Sequence, residues 1–362
     1  MLPYYVLMLM PMAVAIYSSR GKIGIESANK TKDSRRAFIL FFGFFIILLS
    51  LRSLECGVDL KAYQNYYNVD LDIPLESIPQ RYSIEVGFHL FNKIVSIINN
   101  NFQVYLSLVA IICITPLLVI YISDSDLPLL SIALFVVIAP FSLYFSGIRQ
   151  SLALAFAPLS LYAAKKKKIW VFILSVFLSV LFHQSGIILA VLYPLYGAKI
   201  KKNWLYLVIP IMGIVLVFNS RIYSLMAPFF GERYLGRYGE VSSTGAYTTI
   251  ILMLMLSVYS IIMPDNEKID VDTLGYRNIL FFSTCLQCFA PVNSIAMRMN
   301  YYYLIFVPIA ISRVITRSKE SLKSTALLSY CVLIVVFYVY FFYNAYTGAD
   351  VLQVFPYVPF WK

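Results

Sequence analysis

Charge is scarce in this chain. Asp, Glu, Lys and Arg make up 13% of its 362 residues, against about 25% in an ordinary soluble domain. Histidine is rarer still, with two residues, His89 and His183. Of five cysteines, Cys113, Cys285, Cys288 and Cys331 lie in apolar runs and Cys56 in a polar loop, so no disulfide framework is implied. Cys285 and Cys288 spell C-x-x-C without a second ligand pair, whereas zinc takes four ligands, and no metal is assigned. No P-loop, G-x-G-x-x-G or G-x-S-x-G occurs, which removes support for ATP, NAD or α/β-hydrolase chemistry, and no cofactor is expected. D-x-D appears at Asp70–Asp72, Asp124–Asp126 and Asp270–Asp272. The last two read as short acidic turns, and only the first stands where a divalent metal is in reach. No clear internal repeat stands out.

What is abundant is apolar. Hydrophobic residues reach 60% and aromatics 16%, with a mean hydropathy of +0.77. Twelve apolar runs recur between 2–18 and 325–343, most of them about long enough to cross a ~30 Å hydrocarbon core as helices. The run at 186–198 is the shortest. The expected fold is all-α: a polytopic integral membrane protein of about twelve transmembrane helices, in one membrane domain over 1–362. The first run is followed by its positive charges, the opposite of a cleaved signal peptide, and reads as a first span with its N-terminus outside.

Basic segments at 19–36, 165–168, 199–202 and 313–324 belong inside by the positive-inside rule. An even number of crossings must separate the first two. The segment 84–98, "IEVGFHLFNKIVSII", would make that number odd, so it is expected to lie at the outer face as an amphipathic or re-entrant helix. This topology places 19 of the 29 Lys/Arg inside and ten outside, with nine acids on each side. The net +11 is thus mostly an orientation signal, and no nucleic-acid partner follows from it. Seven of the ten outer cations are arginines, the residue suited to bidentate grip on phosphate or carboxylate. The outer face therefore reads as built for an anion.

Three outer regions carry polar residues beside apolar runs. The loop 52–89 holds Arg52, Glu55, Asp59, Tyr63, Tyr66, Tyr67, Arg81, Glu85 and His89. Helix ends supply Gly147, Arg149 and Gln150, then His183, Gln184 and Ser185. The third region joins 221–240, with Arg233, Tyr234 and Tyr238, to Arg298, Asn300 and Tyr301. Each residue also has a structural reading: Arg149 and Arg298 as interfacial anchors, His183 as a polar terminus, the tyrosines as an aromatic belt, Glu55 and Asp59 as partners of Arg52. Joint placement on one face is what favours function.

"RSLECGVDLKAYQNYY", "EVGFHLF", "SGIRQSLALAF", "FHQSGIIL" and "MRMNYYY", in this order and spacing, resemble the EpsG/Wzy-type polymerases of bacterial O-antigen, capsule and exopolysaccharide. The resemblance implies a glycosyltransferase at the outer face of the cytoplasmic membrane. Its substrate would be an undecaprenyl-pyrophosphate-linked oligosaccharide, its surroundings membrane lipid, and its partners a flippase and a chain-length regulator. Loops 55–101 and 220–245 would form the site. Arg149 and Arg298 would hold the pyrophosphate, with Arg52 or Arg233 assisting. Asp59, Glu85 and His183 are candidates for the base, Asp59 slightly ahead of His183. Tyr63, Tyr67, Tyr234, Tyr238 and Gln150 would line the glycan path. A ligase moving finished chains, or a flippase for the same lipid-linked sugar, are the alternatives.

Overall fold

The computed structural model describes residues 1–18, 32–82, 85–138, 140–199, 202–226, 247–292, 294–348 and 352–362. Among them, helices, 3-10 turns and two isolated bridges account for the regular structure, with no strand ladder. The chain is an all-α membrane protein.

Helices α1 (Leu2–Ser18) and α2 (Lys32–Leu51) are followed by α3 (Leu60–Asp72), a short α4 (Ile78–Arg81) and α5 (Val86–Ile98). Then come α6 (Phe102–Asp124), α7 (Pro128–Val137), α8 (Leu143–Ser146), α9 (Ile148–Leu154), α10 (Ala157–Lys165) and α11 (Ile169–Phe182). After a 3-10 stretch at Gln184–Val191 follow α12 (Leu192–Gly197), α13 (Lys202–Val217), α14 (Asn219–Met226) and α15 (Tyr247–Ile262). The series ends with α16 (Val271–Gln287), α17 (Ser294–Leu304), α18 (Val307–Thr316) and α19 (Lys323–Thr347).

Each of the twelve apolar runs carries helix, but several are interrupted. Among the described residues, Phe102–Asp124 and Glu320–Thr347 are long and apolar enough to cross a membrane unaided, giving two such helices, or four if each of two bent pairs is one span. Proline makes several of the interruptions. α7 stops before Pro140, and Pro158 and Pro308 each sit in the first turn of a new helix, where a missing N–H is harmless.

The segment 84–98 carries a helix, α5. Phe88, His89, Asn92, Val95 and Ser96 are buried, while Ile94, Ile97 and Ile98 are exposed, so α5 is two-faced. Its buried face packs on α3 and α11. Asp70, itself buried, locks the pair: His89 Nδ1 and Asn92 Nδ2 each lie 2.8 Å from one carboxylate oxygen.

The C-terminal tail returns to the end of α2. Ser53 N donates to Val358 O (2.8 Å), Phe360 N to Leu51 O (2.9 Å) and Val58 N to Leu352 O (3.2 Å). Nearby, Gly57 adopts φ +132°, and a Cβ there would stand 2.3 Å from the Phe145 carbonyl oxygen. Glycine is thus required where the loop before α3 meets α8.

Candidate active site

Three chain segments that are distant in sequence meet at the Arg149 end of α9. Glu85 caps α5 from a left-handed conformation (φ 56°, ψ 35°), a strained choice for a non-glycine residue. Arg149 is the second residue of α9, and His183 lies in the turn just beyond α11. Gly147 ends α8 with φ −87°, so it is not needed for a left-handed turn; a Cβ there would stand 2.6 Å from Leu143 Cδ1. Close approach is what Gly147 provides.

Glu85 joins the other two. Arg149 Nη1 donates to its Oε2 at 2.6 Å, and His183 Nδ1 lies 3.2 Å from its Oε1. The guanidinium is also ringed by aromatics, its carbon 5.7 Å from the Tyr63 centroid, 5.6 Å from Tyr66 and 5.8 Å from Phe88. Such cation–π contacts favour a charge that is partly removed from water. The Arg149 side chain is 34% exposed, leaving part of its donor fork open. Tyr63 is buried and has its hydroxyl pushed up, chiefly by burial and against the pull of Arg149.

The Ser185 amide donates to His183 Nδ1 at 3.4 Å, and Glu85 Oε1 stands 3.2 Å from the same nitrogen as an ion-pair contact. Burial pushes the imidazole down to about 4, with Glu85 opposing and Arg149 and Arg298 assisting, so the ring is neutral near pH 7. Ser185 Oγ in turn lies 3.1 Å from the Tyr302 hydroxyl.

A second arginine stands beside this group. Gln150, buried, donates from Nε2 to the backbone oxygen of Arg298 at 2.7 Å. This ties α9 to α17, whose Arg298 is exposed. Asn300, two residues on, is buried between Ser283 (2.7 Å) and Gln287 (2.9 Å).

Of the residues singled out in the sequence, Glu85, Arg149, Gln150, His183, Tyr63 and Arg298 are therefore brought together. Asp59 borders them. It is exposed, accepts a bond from Ser146 Oγ (3.0 Å) and returns its own amide to the same oxygen (3.1 Å). Arg52 is not with them: 1% exposed, it donates to the Leu49 carbonyl beneath the C-terminal tail, and neither Glu55 nor Asp59 pairs with it. Tyr67 is also core, its hydroxyl donating to Asn99 O at 2.8 Å. Arg233, Tyr234 and Tyr238 lie outside the described residues. Ser146, Phe88 and Tyr302 were not picked out as site residues. For Ser146 the available signal was its place at the start of the S-G-I-R stretch.

Among the described residues no group of three His, Cys, Asp or Glu side chains is set to hold a metal. The arrangement offers a neutral imidazole held by a carboxylate, two arginines and an aromatic platform. It suits proton removal next to an anionic leaving group.

No curated protein and no solved structure matches the chain. The EpsG family profile, however, matches residues 35–358, nearly the whole length. The five stretches that resembled this family in the sequence all fall within that match, and the chain belongs to the EpsG family.

Proposed function

We propose that this EpsG-family chain is a membrane polysaccharide polymerase. It would transfer a growing glycan from an undecaprenyl-pyrophosphate carrier to the next lipid-linked repeat unit at the outer face of the cytoplasmic membrane. One observation carries the reading: Glu85 bridges Arg149 and His183 on an aromatic platform, with Arg298 alongside. The topology that goes with it is about twelve crossings in one domain, with the Arg149 end outside. A flippase that delivers repeat units and a chain-length regulator would be its partners.

In this mechanism the acceptor hydroxyl oxygen attacks the donor's anomeric carbon while the bond to the pyrophosphate oxygen breaks. His183 takes the hydroxyl proton, and Glu85, 3.2 Å from the ring, steadies the imidazolium that forms. The leaving pyrophosphate keeps the electron pair, and Arg149 and Arg298 stabilise its charge. Asp59, held by Ser146 and exposed, is better placed to meet a sugar hydroxyl than to act as the base. Energy comes from the carrier bond, so the scheme uses no nucleotide.

The test is the glycan ladder from cells carrying Arg149→Ala, Arg149→Lys or Lys166→Ala, at matched protein levels. Removing one preorganised contact to a developing charge costs roughly 10²-fold in rate. Arg149→Ala should therefore reduce the ladder to single repeats, Arg149→Lys should recover part of it, and Lys166→Ala should leave it intact. A normal ladder in Arg149→Ala would make the residue an interfacial anchor and remove the centre of the proposal.

A further inference from the structure

Two stretches of the chain have the same construction. "LAFAPLSL" at 154–161 and "LIFVPIAI" at 304–311 align without a gap at an offset of 150 residues, matching Leu154 to Leu304, Phe156 to Phe306 and Pro158 to Pro308. The backbone repeats with them. Phe156 N bonds to Ala153 O (3.2 Å) and Phe306 N to Tyr303 O (3.0 Å), a tightened turn at one register. Ser160 N then bonds to Phe156 O (2.9 Å), and Ala310 N to Phe306 O (3.0 Å). Phe156 and Phe306 each cap the lower helix, with the proline in its first turn.

The likeness extends outward from this break. Upstream lie an arginine turn (Arg149, Arg298), then an Ala-Pro pair (139–140, 290–291), then a rising helix (α7, α16), then D-x-D (124–126, 270–272). Downstream each lower helix ends in cations, Lys165 in one case and Arg313 with Arg317 in the other. Apolar residues substitute freely for one another within it, which is why the pattern is faint in the sequence.

At the Lys165 end the two hairpins interlock. Lys165 Nζ lies 2.5 Å from Asp124 and 3.1 Å from Asp272. Arg317 pairs with Asp126 and with Asp270, and Arg313 reaches Asp270 (2.8 Å) and the Asp124 carbonyl (3.1 Å). Ser312 Oγ accepts the amides of Asp126 (2.9 Å) and Leu127 (2.7 Å). Two of these ion pairs, Lys165 with Asp272 and Arg317 with Asp126, cross from one hairpin to the other. At the Arg149 end the arginine turns are joined by the Gln150 to Arg298 bond.

We propose that residues 124–165 and 270–317 are two copies of one hairpin, and that Lys165, Arg313, Arg317 and their four aspartates are positioning residues that set the separation of the Arg149 and Arg298 turns. In each copy the two helices are joined by the tightened, hydrogen-bonded turn at Phe156 or Phe306, so a slip at one end is carried to the other through that turn. A misplacement of about 1 Å at a reacting centre can cost about 10²-fold. The inference rests on the polymerase reading only for its activity readout; the separation itself is measured independently.

Spin labels at Ser142→Cys and Met297→Cys, beside the two turns, report that separation once the partly exposed Cys285 and Cys331 are changed to serine. Lys165→Met and Arg317→Gln should shift or broaden the label distance by about 1 Å or more and shorten the ladder about tenfold. Lys165→Arg should restore both, and Lys166→Ala should change neither. An unchanged distance in Lys165→Met overturns the positioning role, whatever the ladder does. A shifted distance with Arg149→Ala still making a full ladder keeps the device and discards the polymerase site. Should Lys165→Met not accumulate, Arg317→Lys keeps charge but loses the fork across Asp126 and Asp270. A shifted label distance in that variant supports the positioning role, and an unchanged one overturns it.

Discussion

The two ends of the α9–α10 segment are built from the same materials, arginine or lysine, carboxylate and tyrosine, yet they differ in saturation. At the Lys165 end, Asp124 accepts from Lys165 and from the Tyr276 hydroxyl (both 2.5 Å), and Asp270 from Arg313, Arg317 and Thr273. Lys165 and Arg313 each stand 5.8 Å from the Tyr276 ring. At the Arg149 end a single glutamate divides its two oxygens between an arginine and a histidine, and the arginine side chain stays partly exposed. A closed set of partners holds helices in place. An open one leaves groups available for chemistry, and this contrast is the reason for reading one end as scaffold and the other as site.

The contrast is most exposed to refutation at His183. His183→Ala should lower polymer formation by 10² to 10⁴-fold, the usual worth of a positioned base, with little change in protein level. Glu85→Gln, which keeps shape but loses the charge that orients the ring, should cost less, roughly tenfold to a hundredfold. The ladder measured in both variants decides the order. If Glu85→Gln is the more damaging, the carboxylate is the base and the imidazole its support.

Acid separates the two ends by a smaller margin. The His183 ring is held at about 4, below its ordinary 6.5, so the folded state prefers it neutral. That preference is fully in force above pH 6.5 and is lost as pH falls from 6.5 towards 4, about 3 kcal/mol in all at 1.4 per unit. At the other end burial works to raise Asp270, but Thr273, Arg313 and Arg317 outweigh it and hold the carboxylate below its usual range. Asp272 is likewise lowered, with Tyr196 and Lys165 overcoming burial. Their contribution is present above the ordinary carboxylate pKa and disappears only at still lower pH. Unfolding midpoints from pH 7 to 4.5 should therefore fall in the native protein and fall less in His183→Gln. Equal slopes would remove His183 from the buried, neutral state assigned to it.

How much of this was legible in the sequence depends on the range of each interaction. Glu85, Arg149 and His183 stood out because polar residues at the ends of apolar runs are few, and a shared face is readable from topology. Arg52 did not reveal its separate fate, because its burial is made by Val358, Phe360 and Tyr357, some three hundred residues away in the chain. The Asp124–Asp126 and Asp270–Asp272 pairs read as acidic turns, but their partners at Lys165, Arg313 and Arg317 are fixed only by helix packing. Apolar runs gave the helices and not their breaks: a proline at 158 or 308 reads equally as a kink or as the start of a new helix.

Tyr67 offers the finest test of where the site stops. Sequence placed it on the glycan path with Tyr63, one helical turn away on the same side of α3. In the structure Tyr63 faces Arg149, whereas Tyr67 is buried against Tyr105, with ring centroids 4.6 Å apart, and gives its proton to Asn99 O. A hydroxyl used this way contributes about 1 kcal/mol to stability and nothing to substrate contact. Tyr67→Phe should then lower the unfolding midpoint by a few degrees and leave the ladder at full length. Tyr63→Ala, which strips one ring from the Arg149 platform, should shorten it. If Tyr67→Phe instead shortens the ladder at unchanged stability, substrate reaches below the platform, and the boundary between site and scaffold lies deeper than the Arg149–Glu85 layer.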